Sequence, residues 1–300
     1  MHRAIPFLAL TFVVGLPLGA QQDFTNAEIE TQPVAPGLYM LVGPGGNIGV
    51  SVGDDGVFLI DDQYAPLTDK VVAAVRAISA APIRFVFNTH WHEDHTGGNE
   101  RLGGAGAAIV AHDNVRVRMS VEQALSFGGQ TRSVPPSPDG ALPVLTFAED
   151  VTFHLNGDEL HAFHVENAHT DGDAIVHFRR ANAVHMGDTF VRYGFPFIDT
   201  ASGGSIDGMI AAVDEVLELI DESTRVIPGH GEVATRGDLL AYGDALRAMR
   251  RAVAELALEG HPIDHVLDFR PLQAQAEAWG QDRAAEDRFV ETVYGGVTAR

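Results

Sequence analysis

The sequence predicts an α/β fold in which two sheets pack face to face with helices outside, in one domain. Three observations carry that expectation. Short apolar runs of strand type alternate with stretches of helical period from about residue 37 to 230. Gly-, Asp- and Pro-rich turns punctuate them. The first half, strands followed by helix, is repeated in texture by the second. With 300 residues, 45% of them hydrophobic, the chain is long enough and apolar enough to bury a sizeable core.

Residues 37–43, 47–52 and 57–60 read as short strands, separated by Pro44-Gly45-Gly46 and Gly53-Asp54-Asp55-Gly56. Residues 66–79 read as a helix, with Pro66 near its start and Val71, Val75 and Ile78 on one face. Residues 83–88 form an apolar strand that runs straight into a His-rich segment. Residues 114–127 suggest a second helix stopped by Gly128-Gly129, and residues 133–143, with four prolines, a loop between the halves. Strands follow at 151–155, 159–165, 174–178 and 183–186. Ser205 caps a helix carrying Ile206, Ile210, Val213, Leu217 and Ile220 on one face, and 225–227 is a last strand. Beyond Gly237 the chain is helical, with Phe289, Val290 and Val293 giving its last helix a packing face.

The chemistry concentrates in Thr89-His90-Trp91-His92-Glu93-Asp94-His95-Thr96-Gly97-Gly98-Asn99. Alternate residues of an extended segment share a side, so His90 and His92 can converge on one ion. Asp94 and His95 fall on the next bend and can face a neighbouring position. Glu93 points to the other side, toward solvent or behind the ligands. Nitrogen and oxygen donors without sulfur suit zinc, with iron or manganese as the other choices. One segment cannot complete such a site, and three further metal-capable residues stand at strand exits beside glycines. These are His169 in Asn167-Ala168-His169-Thr170-Asp171-Gly172-Asp173, Asp188 in His185-Met186-Gly187-Asp188, and His230 in Pro228-Gly229-His230-Gly231.

His-x-His-x-Asp-His, a later His, an Asp after Gly and a terminal Gly-His-Gly, in that order, resemble the metallo-β-lactamase superfamily. The resemblance spans about residues 35–235. It implies an αββα four-layer sandwich with metals at the sheet edge between the halves. It also implies that His90, His92 and His169 bind a first metal, Asp94, His95 and His230 a second, and that Asp188 bridges both. Asp61 matches an acid that supports the His loop from behind. A bound zinc lowers the pKa of water to roughly 7, and two ions roughly 3.5–4 Å apart can share a hydroxide that attacks a carbonyl. Asp94 is then the residue to orient that nucleophile and handle its proton.

The implied activity is hydrolysis of a small-molecule cyclic amide or ester, β-lactam- or lactone-like. Asp188 stands where the best-known β-lactamases of the superfamily carry cysteine or serine, and resembles the glyoxalase II thioesterases and the lactonases instead. A glyoxalase II-type thioesterase is therefore an alternative, as are a non-haem iron dioxygenase on the same fold and a non-catalytic periplasmic metal-binding accessory protein. Trp91, Arg192 and Phe195 are the expected substrate contacts: Trp91 as a wall, Phe195 (with Phe197) at the mouth, Arg192 as an anion handle. Residues 194–204, rich in Gly and Pro, read as a loop over the pocket.

Residues 1–20 have the form of a secretory signal peptide: a basic start at Arg3, an apolar stretch from Ala4 to Leu16, and small residues before Gln21. A periplasmic or secreted protein follows, with residues 21–300 as one domain, a core at about 35–235 and a helical extension at 236–300. No later segment is apolar and long enough to stay in a membrane once the leader is removed. The chain has no cysteine, which excludes disulfides, a thiolate nucleophile and cysteine–zinc sites. Its net charge of −21 repels phosphate backbones and argues against nucleic acid as a partner.

Overall fold

The computed structural model describes residues 23–127 and 130–299; the signal-peptide segment 1–20 lies outside the described residues. Strands β1 (Glu30–Ala35), β2 (Leu38–Val42), β3 (Ile48–Gly53), β4 (Gly56–Ile60), β5 (Ile83–Asn88), β6 (Ala108–His112) and β9 (Leu145–Phe147) form the first sheet in that order. The second sheet runs β10 (Asp150–Leu155), β11 (Asp158–His164), β12 (Ala174–Phe178), β13 (Ala183–His185), β14 (Arg225–Ile227) and β15 (Ala234–Thr235). In both, antiparallel hairpins lead to parallel strands: β4–β5–β6–β9 in one sheet, β13–β14 in the other.

Alternation along the central strands decides the layers. On β4, Phe58 and Ile60 enter the core shared by the two sheets, while Val57 and Leu59 face the opposite way. The shared core also takes Phe87 from β5 and Leu160, Val176 and Phe178 from the second sheet. Val57 and Leu59 meet Val71 and Val75 of α1 (Thr68–Ile78) and Leu102 of α3 (Asn99–Gly104). On the far side, Ile175 and Val184 meet Met209, Val213 and Val216 of α5 (Ile206–Leu219) and Leu239 and Leu246 of α6 (Arg236–Leu258). The result is helix, sheet, sheet, helix, the αββα sandwich. Ser205 caps α5 by accepting a hydrogen bond from the Gly208 N–H.

One expected element is replaced. The helix at 114–127 is only α4 (Asp113–Met119); residues 123–127 are instead β7 (Gln123–Phe127), paired with β8 (Gln130–Val134) in a separate hairpin. Gly128-Gly129, read as a helix stop, lies outside the described residues. The apolar spacing of Val115 and Met119 extends no further, because both bury against Trp91 and Ala111 and Leu125 joins that cluster from the hairpin. Strand β1 is too exposed and β9 too short to stand out by pattern.

The extension adds α7 (Ile263–Phe269) and α9 (Arg283–Thr298), which pack on α6, and α8 (Gln273–Ala278), which packs on α9. Phe289 of α9 stacks on Phe195 with ring centroids 5.0 Å apart, and Trp279 meets Phe195 edge-on. Phe289→Ala is expected to cost about 3–5 kcal/mol as a buried aromatic truncation, read as a lower midpoint in urea unfolding. A loss below 1 kcal/mol would mean that α9 is not part of the cooperative core.

Candidate metal centre

Every member of the His/Asp cluster stands just past the C-terminal end of a strand. Asp61 follows β4, residues 89–95 follow β5, His169 lies in the loop after β11, Asp188 follows β13 and His230 follows β14. Backbone hydrogen bonds sew these ends together across the seam between sheets: Ala174 N–H to Thr89 O at 2.8 Å, and Asn47 N–H to Gly229 O at 2.7 Å. The turn before Asn47 presses close to the cluster, and a methyl group on Gly46 would lie 2.1 Å from His95 Cε1. Glycine there is a space requirement.

All seven expected residues meet in one place. Three groups, His90/His92/His169, His90/His95/Asp188 and Asp94/His95/His230, each offer ligand atoms within 4.8 Å of one another. His169 Nε2 lies 2.9 Å from His92 Nδ1. Asp188 divides its oxygens between the two sides: Oδ2 is 3.8 Å from His169 Nε2, and Oδ1 is 3.3 Å from His95 Nε2 and 3.5 Å from His230 Nε2. Asp94 Oδ2 stands 3.3 Å from His230 Nε2 and 3.6 Å from His95 Nε2.

The outer nitrogens explain why the inner ones present lone pairs. Thr89 donates both its N–H and its hydroxyl to Asp61, so its oxygen accepts from His90 Nδ1–H at 3.0 Å. His95 Nδ1–H donates to Asp61 at 2.7 Å, His92 Nε2–H to Asp199 at 3.1 Å, and His169 Nδ1–H to the Phe197 carbonyl at 2.8 Å. Each bond fixes a tautomer with its remaining nitrogen turned inward. His90 Nε2, His95 Nε2 and Asp188 Oδ1 are buried there without a hydrogen-bond partner. Buried acceptors facing one another without donors are costly. Divalent cations satisfy them, and the N- and O-only donor set suits such ions.

Charge divides the cluster in two. Burial, then the neighbouring imidazoles, holds His90 well below the usual histidine range, and burial with His92 beside it brings His169 down to about 4. Burial opposes ionisation of Asp188 and Asp94, but the imidazoles of His230 and His95 outweigh it and hold both carboxyls below the usual range. The same carboxylates overcome burial to lift His230 to about 9. Against burial, Asp188, Asp94 and Asp61 raise His95 as well, so one side is neutral imidazole and the other imidazolium paired with carboxylate.

Of the expected substrate contacts, two are packed into the core. Trp91 is buried among Ala111, Val115 and Met119, with its indole N–H on Ser202 Oγ at 3.2 Å, so it braces the loop rather than walling the site. Phe195 is held by Phe289 and Trp279 on the far side of its segment. The Arg192 Nη1 donates to the carbonyls of Glu232 and Val233, in the turn after His230, and the side chain stays about one-third exposed. Phe197 does stay at the site, its ring 5.8 Å from His92 and 5.7 Å from His169. Residues 194–204 act from behind, through Phe197 O and Asp199, rather than as a cover. Glu93 is exposed, as expected, and pairs with Arg132 of β8.

Asp199 and Tyr193, whose ring lies 5.6 Å from His230, are site residues that sequence reading missed. Asp199 is 107 residues from its partner His92, with no motif around it; its single signal is an acid at the start of a 3-10 turn capped by its own side chain. Asp199→Ala is expected to weaken metal affinity about 10- to 100-fold, as loss of an outer carboxylate–histidine contact does. Titration against a chelating indicator reads this, and unchanged affinity would show that Phe197 O and the loop alone orient the pair.

Comparisons with known proteins agree with this geometry. Residues 42–261 match the family model of the metallo-beta-lactamase superfamily. A hydroxyacylglutathione hydrolase of Polaromonas sp. strain JS666 is 27% identical over 168 residues, 55% of this chain and 55% of that protein, so the match spans about half of each. Among solved structures, a metallo-beta-lactamase from Pontibacter korlensis superposes with TM-score 0.60 at 18% identity, covering 73% of this chain and 99% of its own. A double mutant of the sec-alkyl sulfatase PisA1 superposes with TM-score 0.66 at 17% identity, over 90% of this chain and 50% of its own. At such identities these structures speak for the fold alone, whereas the family model covers well over half of the sequence. The chain belongs to the metallo-beta-lactamase superfamily.

Proposed function

We propose that the protein is an exported zinc-dependent hydrolase that opens a cyclic amide or ester. His90, His92 and His169 hold one ion, Asp94, His95 and His230 a second, and Asp188 is shared between them. The observation that carries this reading is the division of the Asp188 oxygens between two imidazole groups. When bound, zinc polarises a carbonyl and lowers the pKa of water to roughly 7.

The chain's own groups do the rest. The Asp94 side chain is 20% exposed against 8% for Asp188, and it is held ionised. It is therefore placed to orient a water and take up its proton at the mouth of the site. Asp61, Asp199 and Phe197 O fix the imidazoles from behind, so little reorganisation accompanies reaction. Phe197 and Tyr193 bound the cluster with apolar ring surface.

A second reading, a glyoxalase II-type thioesterase, is favoured by the hydroxyacylglutathione hydrolase among the relatives. The test is metal analysis of the purified mature protein, followed by assays on a β-lactam, a lactone and a thioester with and without chelator. Chelator-sensitive turnover with zinc bound supports the proposal, and the preferred substrate decides between readings. Oxygen consumption with iron bound turns the assignment to a dioxygenase, and tight metal without turnover to an accessory role. The leader-like residues 1–20 support export; a mature N-terminus at or near residue 21 in the exported fraction tests it.

A further inference from the structure

We propose that the stacked imidazoles of His112 and His164 position the metal ligand His169, and that acid opens this pair and loosens the hold on metal. The proposal rests on the reading of His169 as a ligand, not on the reaction catalysed.

His112 ends β6 in the first sheet and His164 ends β11 in the second. Their rings lie parallel across the seam, with planes 7° apart and centroids 3.7 Å apart. Neither belongs to the metal cluster, and hydrogen bonds fix where each ring carries its proton. His112 Nε2–H donates to Ala148 O at 3.0 Å. Its Nδ1 is therefore a lone pair, which accepts the Asn114 N–H at 3.3 Å and caps α4. His164 Nδ1–H donates to Asp173 O at 2.8 Å.

Both rings lead to the loop that carries His169. His164 holds the Asp173 carbonyl, while the Asp173 carboxylate accepts from the His169 and Thr170 N–H groups at 2.6 and 2.8 Å. From the other side, the helix capped by His112 sends Asn114 Nδ2 to Asp171 O at 2.7 Å and forks Arg118 onto the Asp171 carboxylate. Each member of the stack thus grips the loop at a different point.

Protons undo this arrangement in two steps. His164 can take one on Nε2, which makes no hydrogen bond among the described residues, and keep its contact with Asp173. A second, on His112 Nδ1, turns the capping acceptor into a donor that faces the Asn114 N–H. It also sets two cations face to face in a buried seam. Burial, then His164, accordingly holds His112 below the usual histidine range. The charged groups facing the pair are Asp113 and Asp171 beside His112, and Glu215 of α5 beside His164. Asp171 is already neutralised by Arg118. An opened loop takes up the His112 proton more readily than the closed one, so opening gains as pH falls below the ordinary value of 6.5.

The test is zinc affinity at pH 7.5 and 5.5, by competition with a chelating indicator, on wild type, His112→Asn and His164→Asn. Asparagine at 112 keeps a capping oxygen without a titrating ring. Protonation of the ligands is common to all three proteins and cancels when their acid losses are compared. Wild type is expected to lose about tenfold more affinity on acidification than His112→Asn, within the usual range of coupling between two sites. His164→Asn, whose amide can still donate to Asp173 O, removes the stacked charge and should fall between. Equal acid losses in the three proteins, even where a variant binds more weakly by one constant factor, overturn the proposal. Amide exchange of residues 167–173 in metal-stripped protein, corrected for the intrinsic pH dependence, separates this from the metal reading. If none of the three binds zinc, but acid strips protection from that loop in wild type and not in His112→Asn, the positioning pair stands and the metal reading fails. Equal protection in that case overturns the pair as well. Matching circular dichroism at pH 7.5 excludes misfolding of the variants as the cause.

Discussion

Asp188→Ala is expected to lower kcat/KM by about a thousandfold and to leave one tightly held metal equivalent where the wild type holds two. Asp188 is the residue whose two oxygens reach both imidazole groups, at 3.3 and 3.8 Å from His95 and His169. Removing it deletes the anion that His230 and His95 share, and a site of two imidazoles and Asp94 binds a second divalent ion less firmly. Metal ions contribute several kcal/mol of charge stabilisation to such a reaction, and about 4 kcal/mol corresponds to a thousandfold in rate. Asp188→Asn keeps the shape and removes the charge, so it should fall between wild type and alanine. Atomic-absorption metal counts beside initial rates check the pair. Two retained equivalents with full activity in Asp188→Ala would exclude a shared ligand at this position.

Zinc loading is expected to raise the melting temperature of metal-stripped protein by roughly 8–16 °C. A ligand at a thousand times its dissociation constant stabilises the folded state by about 4 kcal/mol. For a chain of this size each kcal/mol moves the midpoint by roughly 2–4 °C. The stripped protein keeps its sheets, because the inter-sheet core of Phe58, Phe87, Leu160 and Phe178 does not depend on the cluster. What it retains is a neutral imidazole side whose buried His90 Nε2 has no donor, and ions relieve that cost. Scanning calorimetry with zinc, iron(II) and manganese(II) in turn measures the shift and ranks the metals. No shift beyond 2 °C with any of them would contradict a metal centre.

Much of this site is legible in the sequence, for a physical reason. Metal ligands need particular side chains at strand ends, and His90, His92, Asp94 and His95 are close enough together to be read as a unit. His169, Asp188 and His230 are readable because a glycine stands near each one. The groups that orient them are not. Phe197 contributes a backbone carbonyl, which leaves no mark on residue type, and Asp199 meets His92 across 107 residues of chain. Trp91 and Phe195 have the right chemistry for a substrate wall, but tertiary packing spends both of them in the core. Arg132 lies between the segments read as helix and as loop, and the β7–β8 hairpin brings it to Glu93. In the fold, strands buried on both faces, such as β4, β5 and β12, were placed to within a residue. The misread stretch at 123–127 is short and weakly patterned, so its partner strand decides its form.

The strap at Asn47 carries a consequence for how the protein acquires its metals. Asn47 spans the seam through its N–H to Gly229 O and its amide to the carbonyls of Pro228 and Gly231. The ligand candidates themselves are split between the two halves of the chain, with His92 and His169 77 positions apart. Neither half alone can assemble a complete coordination sphere, so ion capture waits until the sheets have docked, a late event in a topology dominated by long-range contacts. A divalent ion is therefore taken up by the docked pair of sheets and by neither half alone, so the seam between the halves is also the gate for metal uptake.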